Sequence, residues 1–326
     1  MSAKPMIEVE NVKKYFKVAG TKGRNAKVVK AVDGVSLTVY EGETYGLVGE
    51  TGCGKSTLGR CILRLLDTTE GSVKIDGQEI AHLSQKELRK ARSNMQMVFQ
   101  DPFTSLNPRK RVGEILEEAM EINHIGTKEN HMEIALEMMK KVGLRQEHYF
   151  RYPHEFSGGQ RQRIGLARAL VLNPKVIVCD EPVSALDVSI QSQIINLLLD
   201  LQEEKKLTYL FIAHDMSVVK YISGRIGVMY LGHLVEEATT DDLFGMPYHP
   251  YSQALLSAVP QTNPHIRKQR IVLDGDVPSP IDPPSGCVFH TRCPYAMEIC
   301  SREAPCMKMI NENHRVACHL YDKNSL

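Results

Sequence analysis

The sequence has almost no net charge and no long hydrophobic run. Its 40 Lys and Arg residues against 39 Asp and Glu residues leave a formal charge of +1, so no strong global field draws the chain onto nucleic acid or anionic lipid. The longest apolar stretches, such as 176–179 and 207–213, fall far short of the roughly 20 residues that cross a bilayer. Because the first residues also lack the basic start and apolar core of a signal peptide, we expect an intracellular protein without a membrane span.

The cysteines are distributed unevenly along a chain of otherwise ordinary composition. With 42% hydrophobic and 24% charged residues, the chain is neither disordered nor collagen-like, and a length of 326 residues favours two modules over one core. Five of the eight cysteines lie in the tail: Cys287, Cys293, Cys300, Cys306 and Cys318. Since thiols stay reduced inside cells, such a cluster suggests metal binding or catalysis before disulfides.

Short apolar patterns predict an α/β core followed by a loop-rich tail. Alternating β-branched residues indicate antiparallel strands at 7–12 and 28–39. Continuous apolar runs indicate buried parallel strands at 176–179 and 209–213. Frequent prolines between residues 247 and 305 exclude long helices and central strands there.

A phosphate-binding loop is the most specific motif in the chain. The run Gly49-Glu50-Thr51-Gly52-Cys53-Gly54-Lys55-Ser56 lies between a predicted strand and a predicted helix, where backbone N–H groups and a helix N-terminus bind phosphate. Lys55 would reach the β- and γ-phosphates, and Ser56 would coordinate Mg²⁺. A chance glycine turn is the alternative, but the pattern occurs by accident in about one chain in a hundred of this length. The loop therefore predicts nucleotide binding.

Two acidic residues follow the apolar strand at 176–179. Asp180 is expected to face the metal, and Glu181 is expected to polarise a water in line with the γ-phosphate. A helix cap made by Asp-Glu-Pro is the alternative interpretation. The pair favours ATP hydrolysis over nucleotide storage.

A second anion-binding loop precedes another predicted helix. Ser157-Gly158-Gly159-Gln160 offers N–H groups and a hydroxyl to an anion. A single nucleotide does not need both loops from one subunit. Either two ligands bind, or the second loop serves the nucleotide of a partner.

Together these motifs resemble those of the ABC-type ATPases, and they occur in the same order and with the same spacing as in that family. The resemblance implies a RecA-like P-loop ATPase core with an antiparallel β subdomain and a helical subdomain, followed by a small loop-rich Cys-containing C-terminal domain. The nucleotide-binding domain would span 1–240, with the helical subdomain at about 101–172, and the C-terminal domain would span 241–326. In that family two subunits pair head to tail, so the loop 157–160 would close over ATP held by a partner.

The resemblance also implies roles for individual residues. Lys55, Glu181 and the switch histidine His214 would be catalytic, although a lone histidine such as His214 is by itself more often structural. Gln100 would bind Mg²⁺ together with Ser56 and Asp180, and Gln100 would also contact the permease. Asp187 would couple the two ATP sites of the dimer. The nucleotide contacts of the phosphate loop would come from Gly49, Glu50, Thr51, Gly52, Cys53, Gly54, Lys55, Ser56 and Thr57.

Two residues of the nucleotide site leave alternatives open. Phe16 stands where the family stacks an aromatic on adenine, and Tyr15 is the competitor. Cys53, beside Lys55 at a helix N-terminus, is predicted to have a lowered thiol pKa and ATP-protectable alkylation. The alternative for Cys53 is a small residue that merely fits the turn.

Further segments resemble the ATPase subunits of oligopeptide and dipeptide importers, of the OppF or DppF type. These segments are 100–108, 152–156, 248–251 and 286–294. The resemblance implies a heterodimer with an OppD- or DppD-type ATPase, two transmembrane permeases and an extracytoplasmic peptide-binding protein. The chain would lie peripherally on the cytoplasmic face of the cell membrane, and nucleic acid would not be a partner.

The chemistry of the tail cysteines shows only that they are able to bind a metal. Four Cys ligands are the usual set for a [4Fe–4S] cluster, but gaps of five, six and 17 residues between Cys287, Cys293, Cys300 and Cys318 match neither ferredoxin nor zinc-ribbon spacing. The resemblance implies a [4Fe–4S] cluster on these four and leaves Cys306 out. Zn²⁺ and free buried thiols remain alternatives.

The expected function is an energy-coupling ATPase for the import of oligopeptides or dipeptides. Importers of nickel chelates, glutathione or other small solutes use similar ATPases and are the alternative. A soluble ABC ATPase acting on DNA or ribosomes is disfavoured by a single set of motifs without a long coiled coil or basic stripe. A third possibility is an iron–sulfur redox sensor in which ATP is secondary.

Overall fold

A computed structural model describes residues 4–18, 20, 27–101, 105–259 and 270–322. It divides into two units. The first consists of Met1–Met6, Tyr40–Glu43 and His82–Phe211, and the second consists of Ile7–Val39, Thr44–Ala81 and Ile212–Leu326. Within the described ranges, none of the helices combines the length and hydrophobicity that crossing a bilayer requires.

The regular elements of the described residues follow one another in a mixed order. The strands are β1 (Pro5–Lys17), β2 (Val28–Tyr40), β3 (Thr44–Val48), β4 (Glu70–Ile75), β5 (Gln78–Glu79), β6 (Met95–Val98), β7 (Val176–Asp180), β8 (Thr208–Ile212), β9 (Arg225–Tyr230), β10 (His233–Thr239), β11 (Lys308–Asn311) and β12 (His314–Val316). The α-helices are α1 (Lys55–Ile62), α2 (Gln85–Ala91), α3 (Val112–Asn123), α4 (His131–Lys141), α5 (Gly158–Leu170), α6 (Val188–Lys205), α7 (Met216–Ile222), α8 (Thr240–Gly245), α9 (Pro250–Ser257) and α10 (Glu298–Arg302).

The first unit is built on three neighbouring strands in the order β8, β7, β6. Strands β6 and β7 are parallel, with Met95 opposite Val176. Every residue of β7 and β8 is buried, as continuous apolar runs require of strands covered on both faces. The strands predicted at 176–179 and 209–213 are thereby confirmed. Helices α3, α4 and α5 pack against one another in the same unit.

The second unit contains two sets of paired strands. One is a four-stranded sheet in the order β2, β1, β4, β5, and the other runs β11, β12, β10, β9, β3. Strand β3 is parallel to β9, whereas β9, β10, β12 and β11 pair antiparallel with their neighbours. The strands predicted at 7–12 and 28–39 are present as parts of β1 and β2.

The tail contains more regular structure than its prolines suggest. Strands β11 and β12 form a hairpin, and β12 pairs with β10, with Glu236 opposite Val316. The prolines of the tail end at Pro305, so nothing after that residue opposes strand pairing. The hairpin extends the sheet at its edge, where such short strands are common.

An aromatic cluster joins the tail to β9. Tyr230, Tyr251 and Phe289 are among the largest fully buried side chains. The ring centroid of Tyr230 lies 4.7 Å from that of Tyr251 and 5.1 Å from that of Phe289, both edge to face. This geometry is favourable for aromatic pairs beyond the area that they bury.

We predict that Phe289→Ala lowers the free energy of unfolding by about 3 kcal/mol, because it removes a fully buried ring and leaves a cavity. Urea denaturation of the full chain measures the change. Met309→Ala is the matched control, since Met309 is 62% exposed and its loss should shift stability by no more than about 0.5 kcal/mol. Equal effects of the two substitutions would contradict the packing described for Phe289.

Candidate nucleotide-binding site

The phosphate loop links β3 to α1 and is confined by neighbouring backbone. Gly49 has a φ of +149°, and a Cβ there would lie 2.2 Å from the carbonyl oxygen of Met229. Gly54 has a φ of +104°, and a Cβ there would lie 2.1 Å from the carbonyl oxygen of Ala31. The positive φ values and the short distances to the carbonyl oxygens both exclude any residue other than glycine at these two positions. The carbonyl of Cys53 also accepts a hydrogen bond from the Gly232 N–H at 2.9 Å.

Lys55 lies inside this loop. Its side chain is largely buried, and Nζ donates to the carbonyls of Gly49 at 2.7 Å and Glu50 at 3.1 Å. Thr51 and Gly52 are exposed at the tip of the loop, while Ser56 and Thr57 are half-buried in the first turn of α1. The ammonium group and the N-terminus of an eight-residue helix supply positive potential where an anion would bind.

Cys53 does not have the lowered pKa predicted for it. Burial raises the pKa of the thiol, and the charge and hydrogen bonds of Lys55 only partly offset this. The side chain is 5% exposed, and its Sγ lies 3.7 Å from Lys55 Nζ. Desolvation of the thiolate outweighs the nearby cation. The prediction of an activated thiol was wrong, and the alternative of a small residue that fits the turn is favoured.

The carboxyl ends of β6 and β7 bring two predicted site residues together. Gln100 follows β6, Glu181 follows β7, and Gln100 Nε2 donates to Glu181 Oε2 at 2.9 Å. Parallel neighbours end at the same edge of a sheet, which explains the contact. Asp180, the last residue of β7, is 1% exposed. Glu181 has a φ of +46°, a conformation that is uncommon for a side chain other than glycine and occurs often at functional sites.

The second loop forms the start of α5. Ser157 caps the helix and accepts a hydrogen bond from the Gln160 N–H at 3.4 Å, while Gln160 Oε1 accepts from the Ser157 N–H at 3.1 Å. Ser157 is exposed and Gly159 is buried. A Cβ on Gly159 would lie 2.4 Å from Ile190 Cγ2. Packing against α6 is therefore a second reason for glycine in this loop.

Asp187 and His214 lie at the starts of other segments. Asp187 caps α6, accepting from the Ile190 N–H at 3.0 Å and the Ser189 hydroxyl at 2.7 Å. The hydrogen bond from Ser189, followed by that from the Ile190 N–H, lowers the pKa of the Asp187 carboxyl. His214 is exposed just beyond β8.

The predicted site residues fall in both units of the structure. The first unit contains Gln100, the 157–160 loop, Asp180 and Glu181, and the second contains the phosphate loop and His214.

The two candidate adenine-stacking aromatics differ in their surroundings. The hydroxyl of Tyr15 donates to Asp33 Oδ1 at 2.5 Å, and its ring is half-buried. Phe16 is 36% exposed, and Lys14 Nζ lies 4.9 Å from its ring centroid. Phe16 is thus the more accessible ring of the two.

The four predicted cluster ligands lie near one another in the tail. Burial raises the pKa of Cys318 to about 12, and the thiols of Cys287, Cys293 and Cys300 add to the rise. The Cys287 N–H donates to the Cys300 carbonyl at 2.7 Å, whereas Cys306 is exposed. In the part of the chain that the structure describes, no group of three or more His, Cys, Asp or Glu side chains is arranged to hold a metal ion. Metal binding by the tail stays a prediction.

Sequence reasoning missed two contacts of the phosphate loop. Arg292 Nη1 and Nη2 donate to the carboxylate oxygens of Glu50 at 3.0 Å and 3.3 Å. The hydroxyl of Tyr251 accepts a hydrogen bond from the Glu50 N–H at 2.8 Å. Both partners belong to the tail segments 248–251 and 286–294, whose resemblance to peptide importers was the only available signal.

Family models match both parts of the chain. A model described as ABC transporter covers residues 32–184, and one described as oligopeptide/dipeptide transporter, C-terminal region, covers residues 235–300. The first range includes the phosphate loop, the 157–160 loop and Glu181. The second begins in β10 and ends at Cys300.

Curated relatives are similar over nearly the whole length. The oligopeptide transport ATP-binding protein AppF of Bacillus subtilis is 55% identical over 97% of this chain and 97% of its own. The putative oligopeptide transport ATP-binding protein YkfD of the same species is 54% identical over 97% of this chain and 96% of its own. A putative peptide import ATP-binding protein of Brucella ovis is 49% identical over 98% of both chains.

Solved structures confirm the predicted P-loop ATPase fold. A bacterial ABC transporter cassette solved as a dimer has a TM-score of 0.65 and 32% identity, covering 72% of this chain and 99% of the cassette. CbiO1 of Clostridium perfringens, part of the ABC transporter complex CbiONQ, has a TM-score of 0.64 and 25% identity. It matches 74% of this chain and 92% of its own.

We predict that iodoacetamide modifies Cys306 at least about tenfold faster than Cys53 in the folded chain, because a buried thiol with a raised pKa is unreactive. Mass spectrometry of tryptic peptides after timed quenching measures both rates in one sample. Added ATP should leave the Cys306 rate unchanged. Modification of Cys53 as fast as Cys306, with protection by ATP, would restore the activated thiol.

Proposed function

The chain belongs to the ABC transporter ATP-binding proteins of the oligopeptide/dipeptide group, and we propose that it is the subunit that couples ATP hydrolysis to peptide uptake through a membrane permease. The observation that carries this function is the 55% identity to an oligopeptide transport ATP-binding protein over 97% of both chains. A match of the tail to the oligopeptide/dipeptide C-terminal region supports the peptide group.

Binding of ATP is assigned to the phosphate loop and an aromatic ring. The N–H groups of the loop and Lys55 would bind the phosphates, and the exposed ring of Phe16 would stack on adenine. Ser56, Asp180 and Gln100 would hold Mg²⁺, since hydroxyl, carboxylate and amide oxygens are ligands that this hard cation accepts. When bound, Mg²⁺ neutralises charge on the phosphate oxygens during transfer.

Hydrolysis is assigned to Glu181, with His214 at the γ-phosphate. Glu181 would accept the proton of the attacking water. The hydrogen bond from Gln100 supports this assignment, because it fixes the direction of the carboxylate at the end of β7. A base that is already positioned accelerates the reaction more than a base that must be oriented during the reaction.

The remaining parts of the proposal concern partners. Ser157, exposed at the N-terminus of the 13-residue helix α5, would meet ATP held by a second ATPase subunit of the OppD or DppD type. Two permeases and an extracytoplasmic peptide-binding protein would complete the importer on the cytoplasmic face of the membrane. The nucleotide-binding domain would end near residue 240, with its helical part at about 101–172, and the tail domain would span 241–326.

A [4Fe–4S] cluster on Cys287, Cys293, Cys300 and Cys318 is part of the proposal. Mutual electrostatic effects among these thiols support their proximity, and the burial of Cys287, Cys300 and Cys318 supports a site largely shielded from water. Zn²⁺, which also accepts four Cys ligands, is the alternative.

We predict that Glu181→Gln retains ATP binding but lowers turnover by about a thousandfold, since the amide cannot act as a base. Phosphate release by the transporter assembled in vesicles measures turnover, and a fluorescent ATP analogue measures binding. Glu203→Gln, at an exposed position of α6, is the matched control and should behave as wild type. Wild-type turnover in the Glu181 variant would overturn the assignment of the base.

We also predict about four irons per chain after anaerobic purification. Separate replacement of Cys287, Cys293, Cys300 or Cys318 by Ser should abolish iron binding, whereas Cys306→Ser, the matched control, should retain it. Elemental analysis and visible absorption provide the measurement. About one zinc per chain and no iron would contradict the cluster, and so would a chain that holds neither metal.

A further inference from the structure

We propose that Arg292 is a positioning residue for the phosphate loop. By pairing with Glu50, it holds the first residues of the loop after β3 in the conformation that binds nucleotide. The inference rests on the proposed ATPase function. It assigns to the peptide-importer tail a direct effect on nucleotide affinity in its own subunit.

The ion pair has the geometry of a specific contact. Two guanidinium nitrogens of Arg292 meet the two carboxylate oxygens of Glu50, at 3.0 Å and 3.3 Å. The exposed fraction of the side chain is 9% for Arg292 and 28% for Glu50. A two-point guanidinium–carboxylate pair fixes orientation as well as distance. Because Arg292 is desolvated, this pair is unlike an ion pair on the open surface.

The main chain of Glu50 is fixed from the tail as well. Its N–H donates to the hydroxyl of Tyr251, which stands in the first turn of α9. His249 caps that helix by accepting the Tyr251 N–H at 3.1 Å, and its own N–H donates to buried Glu236 at 3.0 Å. Both the backbone and the side chain of one loop residue are thus anchored by tail residues.

Arg292 is presented by a rigid segment. It ends the short helical turn His290–Arg292, in which the His290 N–H donates to the Cys287 carbonyl at 3.0 Å and the Arg292 N–H donates to the Phe289 carbonyl at 3.0 Å. Phe289 belongs to the buried aromatic cluster. Because the backbone is already fixed by these hydrogen bonds, only the side chain of Arg292 loses conformational freedom when it pairs with Glu50.

The charge of Glu50 explains why the loop needs this partner. A carboxylate in a phosphate-binding loop repels the phosphates that the loop must bind. Pairing with Arg292 neutralises that charge and directs the carboxylate toward the tail. Removal of Arg292 would leave the carboxylate of Glu50, the second residue of the loop, without its cationic partner.

The test measures the affinity of the full chain for a fluorescent ATP analogue. We expect Arg292→Met to raise Kd about tenfold, as loss of a charge-assisted pair implies. In the double variant Arg292→Met with Glu50→Gln, the repulsive charge is gone, so Kd should return to within about threefold of the Glu50→Gln value. A role in overall stability alone would lower the melting temperature of Arg292→Met but leave the Kd of the folded chain at the wild-type value. In the assembled transporter, KM for ATP should rise while kcat changes less than about twofold.

The control is Arg302→Met, because Arg302 pairs with Glu298 in the same tail but is 70% exposed; its Kd should equal that of wild type. Wild-type affinity in Arg292→Met, or a double variant no better than Arg292→Met, would overturn the proposal. If thermal melting shows that Arg292→Met does not fold, Arg292→Lys decides: we expect about a threefold rise in Kd from loss of the two-point pair, and unchanged affinity would overturn it. Wild-type chain that binds no nucleotide would instead overturn the proposed function.

Discussion

The close approach of backbone to the phosphate loop is the constraint on which the rest of the site depends. Carbonyl oxygens of Met229 and Ala31 occupy the space that side chains at Gly49 and Gly54 would need, and Gly232 donates to the Cys53 carbonyl. The backbone of the loop is therefore shaped by its neighbours before any phosphate binds. Pre-organisation of this kind reduces the entropy lost on binding.

The tail adds a second layer of constraint to the same loop. The aromatic cluster that joins it to β9 buries Tyr230, Tyr251 and Phe289, and two polar groups of the tail, the Tyr251 hydroxyl and the Arg292 guanidinium, contact Glu50. Burial of the Tyr251 ring fixes its hydroxyl, and Arg292 Nη1 donates to the hydroxyl of Tyr230 in the same cluster. A tail that only closed the protein surface would not need polar side chains aimed at a loop residue.

Local motifs made much of the site predictable, and long-range contacts made the rest unpredictable. The phosphate loop, β7 with Asp180 and Glu181, and the cap at Ser157 are each set by a few consecutive residues, so spacing alone identifies them. The Arg292–Glu50 pair joins residues 242 positions apart, and no local pattern encodes it. Cys53 was mispredicted because burial raises the pKa of its thiol, and burial cannot be deduced from the eight residues of the loop alone.

The most direct test of the central claim is to recover the tagged protein from gently solubilised membranes of its native cell and identify its partners by quantitative mass spectrometry. Two permeases and a second, related ATPase should be recovered in stoichiometric amounts, together with a peptide-binding protein. Recovery with ribosomes or nucleic acid, and without a permease, would contradict the transport function while leaving the ATPase fold intact.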